Sequence, residues 1–126
     1  MTSIRAISVR QPWAALIAHD TKRIENRTWG STWRGTLLIH ASKAAEPDAD
    51  RIAHADVRGA IVAVATLADC HSYDGQCTPW SDPDAWHWVL TNVRPLARPI
   101  KARGSLGLWT PPTDLLTEIP DTRIHT

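Results

Sequence analysis

The sequence predicts an α+β domain built on a small, partly closed sheet of mixed strands flanked by helices. Three observations carry that prediction. Two apolar runs of strand length stand out: residues 35–42 (GTLLIHAS) read as a strand buried on both faces, and residues 59–67 (GAIVAVATL) as the clearest strand in the chain. Short helical segments interrupt the strands early in the chain and again near its middle. Finally, 126 residues with 43% apolar content and no internal repeat fit one domain over residues 1–126, with 113–126 as a polar C-terminal tail.

Taken in order, residues 4–10 alternate with Ile7 and Val9 on one side, the pattern of a first strand. Pro12 suits a first helical position, and residues 12–19 (PWAALIAH) place Trp13, Leu16 and Ile17 on one apolar stripe. That stripe predicts a core position for Trp13. Residues 23–29 read as a strand whose period of two sets Arg23, Glu25, Arg27 and Trp29 on one face. Residues 46–56 (EPDADRIAHAD) open with proline and carboxylates and predict a second helix. The longest predicted loop, residues 68–84, precedes a strand at 86–93 (WHWVLTNV). Pro95 and Pro99 demote the stretch after that strand to an edge or a loop, and residues 104–109 (GSLGLW) make a short final strand.

Composition excludes several classes. No apolar run approaches the roughly 20 residues of a membrane helix, and the N-terminus lacks a continuous signal-peptide segment, so the expectation is a cytoplasmic protein with no membrane partner. Cys70 and Cys77 are then expected as reduced thiols. Together with His71 they lie within eight residues, yet the spacing matches no standard zinc pattern, and neither a metal site nor a cofactor is expected. The net charge of +1 conceals an asymmetry: residues 1–43 hold seven Lys/Arg against two Asp/Glu, whereas residues 44–86 hold two against eight. A basic face for an anionic partner is compatible with that distribution, although the chain is not strongly basic overall. Seven of its eight aromatic rings are tryptophans. Each indole N–H needs a partner when buried, so the expectation is that some of them line a groove.

The motifs are more specific. Ser8-Val9-Arg10-Gln11-Pro12-Trp13, then Lys22-x-x-Glu25-x-Arg27, then Leu38-Ile39-His40-Ala41-Ser42-Lys43 occur in order, and Gly59-Ala60-Ile61-Val62, His87-Trp88-Val89-Leu90, Arg94-Pro95-Leu96 and Gly104-x-x-Gly107-Leu108-Trp109 come after them. This series resembles the ASCH domain family of the PUA-like superfamily over about residues 4–110. The resemblance implies a small β-barrel flanked by helices and a cleft that takes RNA or a nucleotide-like ligand. One position departs from it: Asp20 stands where the family's signature has glycine before Lys22.

The residues themselves suggest roles. Lys22 offers a point cation, Glu25 an acceptor for an exocyclic amine, and Arg27 a fork suited to phosphate, with Lys22 able to join the other two only from the turn before the strand. The alternative is a solvated ion-pair cluster of little energetic consequence. Trp29 shares the Glu25 and Arg27 face and is the stacking candidate. Arg10 and Gln11 lie at a strand-to-helix junction where helix amides could receive an anion. His40 interrupts an apolar strand ahead of Ser42 and Lys43 and is either a hydrogen-bonded structural group or a ligand contact.

The leading expectation is therefore a module that binds single-stranded RNA or a modified nucleoside through Arg10, Gln11, Lys22, Glu25, Arg27, Trp29, His40, Ser42 and Lys43. The resemblance also implies an enzymatic alternative, because some proteins of the family hydrolyse N(4)-acetylcytidine with lysine, threonine and glutamate. Lys22 stands at the lysine position but Glu25 at that of the threonine, so Lys22 and Glu25 would be the catalytic pair acting through a water. A ribonuclease and a protein-interaction domain with an unknown partner complete the set of readings.

Overall fold

The computed structural model describes residues 3–72 and 78–119. Six strands form one sheet in the order β2-β5-β4-β3-β1-β6. They are β1 (Ile4–Gln11), β2 (Ile24–Arg27), β3 (Gly35–Ala45), β4 (Ala60–His71), β5 (Trp86–Lys101) and β6 (Leu108–Trp109), with helices α1 (Trp13–His19) and α2 (Thr113–Thr117). β1 and β3 are parallel and every other pairing is antiparallel. The sheet curls into a half-barrel, the PUA-like α+β architecture expected from the sequence. No helix of the described residues is long and apolar enough to cross a membrane.

Alternation along β3 explains the apolar run Leu37-Leu38-Ile39 in its first half. Leu37, Ile39 and Ala41 face a core shared with Ile7, Val9, Ile17 of α1, Trp88 and Leu90. Leu38 faces the other way, into a second cluster with Ala6, Ile61, Trp109, and Leu115 and Ile119 of the C-terminal segment. Both sides are dry, so the strand carries no polar alternation until His40.

Several elements differ from the sequence reading. The helix expected over residues 46–56 is only a single 3-10 turn, Ala49–Arg51. Its apolar residues form no continuous face, and both Asp48 and His54 adopt left-handed backbone (φ 62° and 69°), which a helix excludes. β5 runs for 16 residues straight through Pro95 and Pro99. This is tolerated because β2 pairs only with Trp86 to Val89, leaving the rest of β5 an open edge on that side, and irregularities in the β4 register absorb the missing donors. The strand expected over 23–29 is shorter, which leaves Trp29 outside it. The final strand is two residues long, because Gly107 takes a left-handed turn (φ 66°) just before it. Helix α1 begins at Trp13, with Pro12 preceding it as the cap residue after a cis Gln11-Pro12 bond.

The curl has a specific fastening. Backbone pairing does not join β2, at one edge, to β1 near the other, yet Arg27 Nη2 donates to the Ser8 carbonyl at 2.6 Å. Ser8 is free to accept because β6 covers only Ala6 and Ile7 of β1. Glu25 Oε2 holds the Arg27 guanidinium at 2.9 Å. Arg27→Met removes the fastening and strands a largely buried carboxylate, so it is expected to cost about 3 kcal/mol in chemical denaturation. The Arg27→Met/Glu25→Gln double variant recovers most of that loss, because the uncompensated charge is gone. A loss unchanged in the double variant would assign the cost to the carbonyl contact alone.

Candidate functional site

Lys22 sits in the turn before β2, the placement that lets it join Glu25 and Arg27. It is 3% exposed, unusual for a lysine, and its ammonium donates to the Ile24 carbonyl. Two indoles face that ammonium, Trp13 at 5.6 Å and Trp80 at 5.8 Å from ring centroid to Nζ. Burial drives the Lys22 pKa below its ordinary value, against the opposing pull of Glu25. Burial likewise raises the Glu25 carboxyl, against the opposing effects of Arg27 and Lys22. The three residues thus form a semi-enclosed charged cluster rather than a solvated surface patch.

The walls come from three elements. Helix α1 carries Trp13, which is 40% exposed and not the core anchor that its helical stripe suggested. Ala14, Ile17 and Ala18 fill the core from that helix instead, so Trp13 at its first residue is turned to the mouth of the cluster. The segment before β5 carries Trp80. Asn26, on the opposite face of β2 from Glu25, holds that segment in place: its Nδ2 donates to the Trp80 carbonyl at 3.0 Å and its Oδ1 accepts the Asp82 amide at 2.9 Å. Trp88, opposite Glu25 in the ladder, is fully buried in the core.

Other expected site residues go elsewhere. Trp29 is 36% exposed but lies edge-on to Trp88, with its ring next to Gly107, and its carbonyl accepts the Trp88 indole N–H at 3.0 Å. Gln11 is fully buried: its Oε1 accepts the Ala15 amide of α1 and its Nε2 donates to the Val57 carbonyl. Arg10 pairs with Glu46 at 3.0 Å and donates to the Ala45 carbonyl. Arg27 is engaged by Glu25 through Nε and by the Ser8 carbonyl through Nη2.

His40, Ser42 and Lys43 lie together in a separate cleft of about 790 Å³ that also takes in Ser8, Lys101 and Arg103. His40 Nε2 faces the Ala102 carbonyl at 2.8 Å and its Nδ1 faces Ser8 Oγ at 3.0 Å. A carbonyl only accepts, so Nε2 carries the proton and, in the neutral ring, Ser8 donates to Nδ1. Burial lowers the His40 pKa, against the Ala102 bond that raises it. Trp109 completes the network by donating to Ser8 Oγ at 3.2 Å. Gly104 is pressed onto it: a Cβ there would come within 2.6 Å of His40 Cε1 and of Ser8 Oγ.

Sequence reasoning missed Trp80, Lys101 and Arg103. Trp80 lay in the longest predicted loop, a position with no periodicity to fix its direction. Lys101 and Arg103 stood in a proline-broken stretch that gave no strand register. Cys77 lies outside the described residues, and no cluster of three or more His, Cys, Asp or Glu suited to a metal occurs among the described residues.

Two stability measurements check this geometry. Gly104→Ala must displace Ser8 or His40 and is expected to cost about 1–3 kcal/mol, with a shift in Trp109 emission. The lowered Lys22 pKa means that the native state binds fewer protons than the unfolded chain on the approach to pH 10.5, so this group adds stability as pH rises through that window. The stability difference between the parent and Lys22→Met should accordingly move in the parent's favour from neutral pH toward 10.5; a flat difference would contradict the burial of a charged Lys22.

Comparison with known proteins agrees with the fold. A family model described as ASCH domain matches residues 7–100. Activating signal cointegrator 1 of Homo sapiens is 47% identical over 36 residues, a match that covers 29% of this chain and 6% of the human protein.

Proposed function

The chain belongs to the ASCH domain family, a PUA-like group whose members generally bind RNA, and on that premise we propose that it binds single-stranded RNA or a modified nucleoside at the Lys22–Glu25–Arg27 cluster. The observation that carries this reading is the pair of indoles, Trp13 and Trp80, set over a buried lysine. A base entering between them gains stacking surface on either ring, Lys22 offers a donor to a carbonyl oxygen, and Glu25 accepts from an exocyclic amine. Trp29, exposed beside Gly107, supplies a further face for a neighbouring base. Arg27 acts by holding Glu25 in place.

A second reading is favoured by one specific observation, the lowered Lys22 pKa beside a carboxylate. In that scheme the neutral amine of Lys22 takes a proton from a water held by Glu25, and the hydroxide adds to the acetyl carbon of an N(4)-acetylcytidine-like amide. The C–N bond then breaks as the Lys22 ammonium returns that proton to the departing amine, giving acetate and cytidine.

Titration of tryptophan fluorescence with cytidine, N(4)-acetylcytidine and a short single-stranded RNA separates the two readings, when each mixture is then analysed by mass spectrometry. Quenching without product is expected, and Trp13→Ala or Trp80→Ala should weaken binding by about 1–3 kcal/mol. Release of acetate, lost in Glu25→Gln, would establish the hydrolase. No response to any of the three ligands would overturn both.

A further inference from the structure

We infer that the cleft between the ends of β3 and β5 is a second site, built to bind the phosphate of a nucleotide-sized phosphate ester. It does not depend on base recognition at Lys22, because none of Lys22, Glu25, Arg27, Trp13 and Trp80 lines it.

The argument begins with charge. Lys43 at the end of β3, Lys101 at the end of β5 and Arg103 just beyond it all line the cleft, and no Asp or Glu does. The strand register brings them together. Lys101 pairs with Ala60 at the start of β4, and the aliphatic stem of Lys43 runs along Gly59 immediately before it. Four arginines elsewhere on the surface are matched with acids, Arg10 with Glu46, Arg34 with Asp69, Arg51 with Asp48 and Arg58 with Asp50, whereas Arg98, on an exposed stretch of β5, has no acidic partner among the described residues. Among the described residues, Lys43, Lys101 and Arg103 have no such partner. Three like charges held around one concavity repel, and a multivalent anion is the ligand that turns the repulsion into attraction.

The rest of the lining narrows the class. His40 is neutral and has both ring nitrogens engaged, so it adds neither charge nor a free donor. Recognition therefore falls on the three cations, with hydroxyls nearby from Ser42 and Ser105. At the rim Leu106 is 97% exposed, an apolar surface that nothing in the described structure covers. A bare inorganic ion would leave it wet, whereas the sugar or base of a nucleotide would pack on it. The volume of about 790 Å³ suits a ligand of that size. The phosphate could belong to a free nucleotide or to the backbone of an RNA strand, and the chemistry recognised is the same.

The Trp109 indole N–H, bonded to Ser8 Oγ, is a built-in reporter of this cleft. Its NMR resonance would be followed during titration with pyrophosphate, uridine 5′-monophosphate, and a hexauridylate lacking terminal phosphates. The expected result is a saturable shift, weakened at least about tenfold in the Lys43→Gln/Lys101→Gln/Arg103→Gln variant, whose substitutions are all at exposed positions and leave the fold intact. A response to uridine 5′-monophosphate alone, or with pyrophosphate, identifies free phosphate esters as the source. A response to hexauridylate, with a salt slope that drops by about 2 in the triple variant, identifies strand phosphates. Trp13→Ala should leave pyrophosphate binding unchanged, which separates failure at this cleft from failure at the Lys22 cluster. The inference is overturned if none of the three probes moves the resonance, or if the triple variant binds them as the parent does.

Discussion

The contact between the Arg27 guanidinium and the Ser8 carbonyl is the constraint on which the remaining geometry depends. A six-stranded sheet with β2 at one edge can twist open or curl closed, and the side chains of one strand decide which. Arg27 reaches across the opening to a carbonyl that no strand pairs with, and Glu25 fixes the angle of reach. The pairing of β2 with β5 sets Trp88 opposite Glu25, and α1 packs across the interior beside Lys22, which is buried. An ion pair that contributes modestly to net stability is in this way decisive for shape. The shifted pKa values of Lys22 and Glu25 are consequences of the same closure, since both arise from the water it excludes.

Much of this was legible in the sequence, and the remainder was hidden for identifiable reasons. The apolar run on β3 announced a doubly covered sheet, because only strands buried on both faces dispense with polar alternation. The position of Lys22 came from parity: it is out of phase with Glu25 and Arg27, so it had to occupy a turn to join them. Trp13 was misjudged because a helical stripe specifies a direction but not where the core ends, and the first residue of a seven-residue helix overhangs it. The span 46–56 looked helical from its N-terminal carboxylates, but it lacked the apolar repeat that makes a surface helix stable. Pro95 and Pro99 left an edge or a loop open, and the structure takes the edge. Whether proline is tolerated depends on which flank of a strand is paired, and that is set by the shortness of a distant strand, β2.

The candidate ligand residues sorted themselves by burial rather than by residue type. Gln11 and Arg27 have the chemistry of ligand-binding groups, but the backbone claims them first: a buried amide or guanidinium without partners would cost more than a ligand returns. Lys43, Lys101 and Arg103, on exposed strand ends and loops, are not claimed. Sequence reveals which residues can bind, whereas only the fold reveals which are already bound.

Ser8 is where these lines meet. Its carbonyl closes the barrel through Arg27, its hydroxyl anchors His40 and receives Trp109, and it sits between the Lys22 cluster and the basic cleft. Backbone and side chain of one residue therefore serve different neighbours, the carbonyl in the plane of the sheet and the hydroxyl from one face. The hydroxyl has closely fixed neighbours, because the tight approach of Gly104 leaves no room for a Cβ beside His40 and Ser8. One residue thus holds the Arg27 guanidinium through its backbone and the His40–Trp109 network through its side chain, so the path of β1 at this point answers to both.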